Sequence, residues 1–161
     1  SGLTRRATRA LSFFMSNVQP AIPAATLVIF RDVENGPPEI LMVERAKHMV
    51  FAGGAWVFPG GRIDPGDYDI ASKLWPQEDG ASRVAAIRET IEEAGLPVGL
   101  DPLPTSEALA TLRTKLHEGA DFSEALIEAG TVLAPHLLTP FARWLPAHAN
   151  MRIFDTLRQR R

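Results

Sequence analysis

Three glutamates lie close together in the sequence, with a spacing that places them on one face of a helix. Glu89, Glu92 and Glu93 occupy positions i, i+3 and i+4. Like charges at this spacing oppose helix formation by roughly 0.2–0.5 kcal/mol a pair. A hard divalent cation such as Mg²⁺ takes carboxylate oxygens as ligands and would offset that repulsion. The alternative is a solvated face on which Arg88 pairs with Glu92, which accounts for only one of the three.

The glutamates belong to the clearest helix that the sequence predicts, residues 82–94. Its apolar residues Val84, Ile87 and Ile91 repeat at the spacing of one helical stripe. Gly95 follows as a left-handed C-terminal cap. The glutamates therefore end a helix whose other face is predicted to enter a core.

The sequence around these glutamates resembles the Nudix box. Residues 88–96 read Arg-Glu-Thr-Ile-Glu-Glu-Ala-Gly-Leu and resemble its second half, R-E-U-x-E-E-x-G-U, where U is aliphatic and Thr90 departs. Gly61, five further residues and Asp67 resemble its first half, with Asp67 in place of the usual glutamate. Twenty residues separate the halves where the common box has seven, so the box is split by an insertion at about 68–80.

The Nudix resemblance implies an α/β fold, a Nudix α/β/α sandwich with a mixed sheet and a helical insertion. It implies hydrolysis of a diphosphate linkage with Mg²⁺ or Mn²⁺ as cofactor. The residues implied as metal ligands are Glu89, Glu92, Glu93, Asp67 and a backbone carbonyl near Gly61. Glu89 is ligand or general base, and Arg88 is implied to hold the glutamates by charge-assisted hydrogen bonds.

A second pattern, at residues 41–61, resembles the element that marks coenzyme A diphosphatases. The matching positions are Arg45, Ala46, Gly54 and residues 58–61, whereas Val43 and Val50 replace a threonine and a second arginine. This resemblance implies coenzyme A or acyl-coenzyme A as substrate. The substrate-binding residues that it implies are Arg45, Phe58, Gly60 and Gly61. A nucleotide sugar, a dinucleotide and a non-catalytic Nudix binding module remain alternatives.

Periodicity and turn residues predict the remaining elements. Strands are predicted at 24–30, 40–44 and 55–58, with Pro59 to Gly61 ending the third. Residues 62–80 are predicted to be a loop. Helices are predicted at 105–117 and 122–129, and an extended segment at 137–145 with Pro140 at a sheet edge or entry.

Length and composition indicate one globular domain of 161 residues with 45% apolar residues. A net charge of −2 argues against nucleic-acid binding through a basic surface, and we expect a small nucleotide-like partner. The absence of cysteine excludes disulfides and thiolate sites, and no apolar run predicts a membrane span. We expect a cytoplasmic bacterial protein, or an organellar one if eukaryotic, with a homodimer left open.

Both ends of the sequence differ from its middle. Residues 1–22, rich in arginine and without acidic residues, are expected to be a flexible or partly helical extension, with a weak targeting segment as the alternative. Residues 23–161 are expected to be the Nudix domain. The insertion, the helices predicted between 105 and 129, and residues 138–144 and 152–156 resemble the Nudix sub-branch that contains the acyl-coenzyme-A-preferring peroxisomal hydrolases and their bacterial relatives. That resemblance covers about residues 23–156 and implies further sheet and a closing helix after Thr156, so we expect the C-terminal part to be truncated.

Overall fold

A computed structural model describes residues 21–46, 53–144 and 154–160. The first twenty residues of the expected N-terminal extension, and the loop position Val50, lie outside the described residues. Strand β1 begins at Ile22, one residue before the expected start of the domain.

The strands of the described residues form one larger sheet and three small ribbons. In chain order they are β1 (Ile22–Val28), β2 (Phe30–Arg31), β3 (Glu39–Ile40), β4 (Val43–Glu44), β5 (Trp56–Val57), β6 (Gly60–Arg62), β7 (Leu100–Asp101), β8 (Val132–Leu133), β9 (Thr139–Trp144) and β10 (Phe154–Arg160). The larger sheet has the order β6-β1-β10-β9. Strands β1 and β10 are parallel, and the two outer pairs are antiparallel. The predicted mixed sheet is therefore confirmed.

Four helices and one 3₁₀ turn are described alongside these strands. They are α1 (Pro65–Leu74), α2 (Gly80–Ala94), α3 (Ser106–His117), α4 (Phe122–Glu128) and the turn Pro135–Leu137. Helix α2 packs against β1, β6 and α1. Its Val84, Ile87 and Ile91 are fully buried, together with Ala25 and Leu27 of β1. This packing fixes the helix that carries the glutamates against the sheet.

The predicted loop at 62–80 is wrong, because residues 65–74 form helix α1. The backbone N–H of Asp64 donates to Oδ2 of Asp67 at 2.9 Å, and the Asp67 N–H donates to the Asp64 carbonyl at 3.0 Å. Pro65 stands at the first helical position, where it is tolerated. Ile70 and Ala71 are buried, so a short apolar face holds this otherwise polar helix in place.

Two strand predictions need correction. The third strand, β5, does end before Pro59, but Gly60–Arg62 then form a further strand, β6, which was not predicted and which pairs with β1, Gly61 opposite Ala25. A side chain at Gly60 would overlap the carbonyl of Ala25, so glycine permits the approach. The single strand predicted at 40–44 is two strands, β3 and β4, which pair with β2 and β5 respectively.

The other helix predictions are confirmed to within two residues at each end. Gly95 ends α2 in the left-handed conformation, with φ 64°. Thr105 caps α3 by accepting a hydrogen bond from the Ala108 N–H at 3.2 Å. Pro140 lies in β9, at one edge of the described sheet, as expected. Within the described ranges, none of the helices has the length and apolar character that crossing a bilayer requires.

Candidate functional site

The glutamates of α2 lie beside the start of strand β6. The Gly60 N–H donates to Oε2 of Glu93 at 3.0 Å. A side chain at Gly61 would overlap the carboxylate of Glu89, so the backbone of β6 lies directly against that group. The two halves of the split box are therefore brought together across the insertion, as the sequence predicted.

Arg88 lies beneath the glutamates and contacts two of them. It is only 9% exposed. Its Nη1 donates to Oε1 of Glu89 at 3.0 Å and to Oε1 of Glu92 at 2.9 Å. Its Nη2 donates to the carbonyl of Arg62 at 3.0 Å. These are the contacts expected of a residue that orients glutamates by charge-assisted hydrogen bonds.

Asp67 is buried against Arg88 and is only 1% exposed. Arg88 Nε donates to Oδ1 of Asp67 at 3.0 Å, and Nη2 donates to Oδ2 at 2.9 Å, a two-pronged ion pair. Oδ2 also accepts the N–H of Asp64. Both carboxylate oxygens of Asp67 are thus engaged inside the protein, where Asp67 supports Arg88 and starts helix α1.

Burial and charge shift the pKa values of this cluster. Burial raises the pKa of Glu89 to about 7, against the opposing effect of Arg88, while Glu92 and Glu93 raise it further. Partial burial also raises the pKa of Glu93, opposed by the Gly60 hydrogen bond and the charge of Arg45. Although desolvation lowers the pKa of Arg88, its contacts with Asp67 and the glutamates raise it above its ordinary range. Arg88 therefore stays charged while the Glu89 carboxylate lacks full charge compensation.

The side chains do not converge on one ion in the described conformation. Within residues 21–46, 53–144 and 154–160, no three acidic, histidine or cysteine side chains are gathered as a metal site. One oxygen of Glu89 and one of Glu92 accept a hydrogen bond from Arg88, and one oxygen of Glu93 accepts from the Gly60 N–H. The donor chemistry nevertheless fits a hard cation, because every candidate ligand is an oxygen beside the glycine backbone of β6.

Arg45 directly follows β4 and lies near the same cluster. Its N–H donates to the carbonyl of Ala55 at 3.0 Å, and its carbonyl accepts the Gly54 N–H at 2.9 Å. Its charge lowers the pKa of Glu93, and among the described residues its buried Nε has no hydrogen-bond partner. Phe58 is half-buried between β5 and β6. A substrate role for Arg45, Phe58, Gly60 and Gly61 stays a prediction.

One residue of the site was not recognised in the sequence. Arg113 of α3 donates to the backbone carbonyls of Glu92 and Glu93 at 2.9 and 3.3 Å. The lack of a basic residue in the last turn of α2 is a signal that some other element supplies one. Thr90, the departure from the box, is fully buried and its hydroxyl donates to the Ala86 carbonyl, so a polar residue is accommodated there.

A cavity of about 700 Å³ lies at the other end of α2, away from the glutamates. Its lining includes Ser82 and Arg83 of α2, Ile63, Tyr68 and Pro140. Large cavities are the usual first place to seek a ligand site. None of the three glutamates lines this cavity. The candidate site is therefore the glutamate cluster and not the cavity.

Comparison with known proteins identifies the family. The family model described as NUDIX domain matches residues 21–124. A solved structure, a NUDIX hydrolase from Alicyclobacillus acidocaldarius, is 31% identical with a TM-score of 0.73, covering 89% of this chain and 70% of that one. A comparison with curated proteins found no match. With the split box folded into one site and a family model covering most of the described chain, this protein belongs to the Nudix hydrolase family.

Proposed function

We propose that this chain hydrolyses the diphosphate linkage of coenzyme A or an acyl-coenzyme A with Mg²⁺ or Mn²⁺. Family membership gives the coarser statement that it is a hydrolase of diphosphate linkages in small nucleotide-like molecules, a class that generally uses divalent cations. The observation that carries the proposal is the placement of Glu93 against Gly60 and of Glu89 against Gly61, with Glu92 held to the same Arg88 Nη1 as Glu89.

Glu92 and Glu93 would hold the cation, with Glu89 as a further ligand or as the base and the carbonyl near Gly61 completing the set. Such an ion supplies charge neutralisation at the diphosphate and lowers the pKa of water. Within the described residues, Glu89 and Glu92 each accept from Arg88 Nη1 through one oxygen, and Glu93 accepts from the Gly60 N–H through one. The second oxygen of each carboxylate would therefore meet the cation while these contacts still orient the group. The raised pKa of Glu89 supports this assignment, because a nearby cation would stabilise its charged form.

Arg88 and Asp67 act as positioning residues in this proposal. Arg88 is buried and bound on every nitrogen, so it is not available to the substrate. Asp67, expected from the sequence as a ligand, has both oxygens committed to Arg88 and Asp64. We therefore propose that Asp67 acts through Arg88, as a partner that orients the ligands from behind.

The reaction balances without a further reactant. Water adds to one phosphorus, the bond from that phosphorus to the bridging oxygen breaks, and the water proton passes to a carboxylate. Glu89 is our candidate for this proton transfer, since it contacts the same Arg88 Nη1 as the ligand Glu92 and lies against the backbone of Gly61. With coenzyme A the products are adenosine 3′,5′-bisphosphate and phosphopantetheine.

Arg45 supports a phosphate-rich substrate. It lies near enough to Glu93 to lower the pKa of that carboxyl, yet its buried Nε has no hydrogen-bond partner within residues 21–46, 53–144 and 154–160. An unpaired buried donor costs about 1–3 kcal/mol, which a phosphate oxygen would recover. Residues 41–61 also carry the pattern that resembles coenzyme A diphosphatases.

Val50 favours a second candidate substrate. It stands where the coenzyme A pattern has its second arginine, so one phosphate-binding charge of that pattern is missing. A nucleotide sugar or a dinucleotide, which lacks the 3′-phosphate of coenzyme A, requires fewer cationic groups. These compounds therefore belong in the same substrate panel.

A substrate panel with Mn²⁺ tests the proposal. The purified protein is incubated with coenzyme A, acetyl-coenzyme A, a nucleotide sugar and a dinucleoside diphosphate, and products are separated by chromatography. We expect adenosine 3′,5′-bisphosphate from the first two, and a loss of at least about 100-fold in Glu93→Gln. Glu118→Gln, which changes an exposed glutamate of another element, is the matched control and should keep the wild-type rate.

The outcomes separate the alternatives. Faster turnover of the nucleotide sugar or dinucleotide would replace coenzyme A as substrate and leave the site assignment intact. Equal background rates in the wild type and Glu93→Gln on every substrate would favour a non-catalytic binding module and refute the proposal.

A further inference from the structure

The C-terminal end of α2 has two negative side chains and no positive one in its last turn to balance them. Its last turn contains Glu92 and Glu93 and has no basic residue. Carboxylates at this end oppose the helix dipole. The final backbone carbonyls also lack partners within the helix. An isolated helix of this sequence would therefore tend to unwind where the glutamates stand.

Arg113 of α3 supplies the missing cation from outside the helix. Its Nε donates to the Glu92 carbonyl at 2.9 Å and its Nη2 to the Glu93 carbonyl at 3.3 Å. A Cβ at residue 95 would lie 3.4 Å from Nη1, so the guanidinium also packs over Gly95, where the chain leaves the helix. All three contacts are with backbone, which leaves the glutamate carboxylates available.

We propose that Arg113 is a positioning residue of the hydrolytic site, an inference that rests on the proposed role of the glutamates. Arg88 orients two carboxylates directly, whereas Arg113 fixes the backbone from which Glu92 and Glu93 project. Unwinding of this turn would change the direction of both side chains at once. Helix α3 thereby contributes to the site although its residues lie outside the box.

Three variants test this role. Arg113→Met removes the charge and the donors at similar length, and Arg113→Lys keeps the charge without the planar fork. Lys115→Met is the control, because Lys115 is on the same helix but pairs with Glu128 of α4. Binding of Mn²⁺ alone is measured by the spin-resonance signal of the free ion. Amide hydrogen exchange of residues 90–97 is measured by mass spectrometry in the metal-free protein.

We expect Mn²⁺ binding about 10-fold weaker in Arg113→Met and intermediate in Arg113→Lys, with wild-type binding in Lys115→Met. Exchange at residues 92–95 should be fastest in Arg113→Met, intermediate in Arg113→Lys and unchanged in Lys115→Met. Wild-type exchange together with wild-type binding in Arg113→Met would overturn the inference, as would equal weakening in Lys115→Met. If the wild type binds no Mn²⁺, the proposed function fails, and the exchange data still decide whether Arg113 holds the turn. Should Arg113→Met not fold, Arg113→Lys gives the same comparison.

Discussion

Arg88 has five N–H donors, and each meets an acceptor. They are both oxygens of Asp67, one oxygen each of Glu89 and Glu92, and the Arg62 carbonyl. A buried arginine whose N–H groups all have acceptors is held in one position, and it therefore holds the carboxylates that it contacts. The charged form of Glu89 is nevertheless disfavoured, because the contact with Arg88 does not offset the burial of its carboxylate.

The raised pKa of Glu89 predicts a pH-dependent stability of the metal-free protein. The Glu89 carboxyl holds its proton up to about pH 7 in the folded state, whereas the ordinary pKa of a glutamate, which applies in the unfolded state, is 4.5. The stabilising effect of the protonated group is full below pH 4.5 and is lost as the pH rises through 7. Between pH 5 and 8, Glu89→Gln should therefore gain up to about 3 kcal/mol in unfolding free energy relative to the wild type.

Urea unfolding in the presence of a chelator measures this difference at several pH values. Glu118→Gln controls for the loss of one exposed carboxylate. The same pH slope in Glu89→Gln and in the wild type would contradict the prediction.

At the scale of elements, Arg83 connects the insertion, helix α2 and the segment that leads into β9 by hydrogen bonds. Its Nε donates to Asp79 at 2.7 Å, and its Nη1 donates to the carbonyls of Pro135, at 2.7 Å, and Leu138. Its guanidinium also lies 5.4 Å from the ring centre of Trp75, at the end of α1. The start of α2, the end of the insertion and the turn before β9 therefore share one buried cation.

Replacement of Arg83 predicts a large loss of stability. Arg83→Met should lower the unfolding free energy by about 3 kcal/mol, because two buried carbonyls and Asp79 lose their donor. Arg31→Met is the matched control, since Arg31 forms an exposed pair with Glu39 and should cost under about 1 kcal/mol. Calorimetry of both variants checks this, and similar melting temperatures would refute it.

The whole molecule assembles the site from distant parts of the chain. Strand β10 pairs with β1 along seven residues, Ile22 opposite Phe154 through Val28 opposite Arg160. Strand β1 in turn pairs with β6, which carries Gly60 and Gly61. Because α2 packs on these same strands, folding of the sheet and formation of the glutamate site are coupled.

This coupling predicts that Mn²⁺ stabilises the entire fold. An ion at 100 times its dissociation constant adds about 2.7 kcal/mol of stability. For a domain of this size the melting temperature should rise by roughly 5–10 °C. A chelator should reverse the shift, and the Glu92→Gln/Glu93→Gln double variant should lack it, whereas Glu107→Gln/Glu118→Gln should keep it. A melting temperature that Mn²⁺ leaves unchanged in the wild type would contradict the metal assignment.

The sequence by itself determined the features that depend on short-range spacing. The buried stripe of α2, its Gly95 cap and the common face of the glutamates follow from positions three and four apart. The contact of Arg88 with Glu92 is of the same kind. These relations hold in any helix of this sequence, so they did not require the rest of the fold.

Only the tertiary structure decided which distant groups meet these residues. The commitment of Asp67 to Arg88 crosses the insertion, the contacts of Arg113 come from another helix, and β10 reaches β1 from the far end of the chain. Helix α1 was not predicted because it has few buried residues, and these become buried only when α2 packs beside it. Local periodicity carries no information on such long-range pairs, because their spacing in the sequence is arbitrary and packing alone selects them.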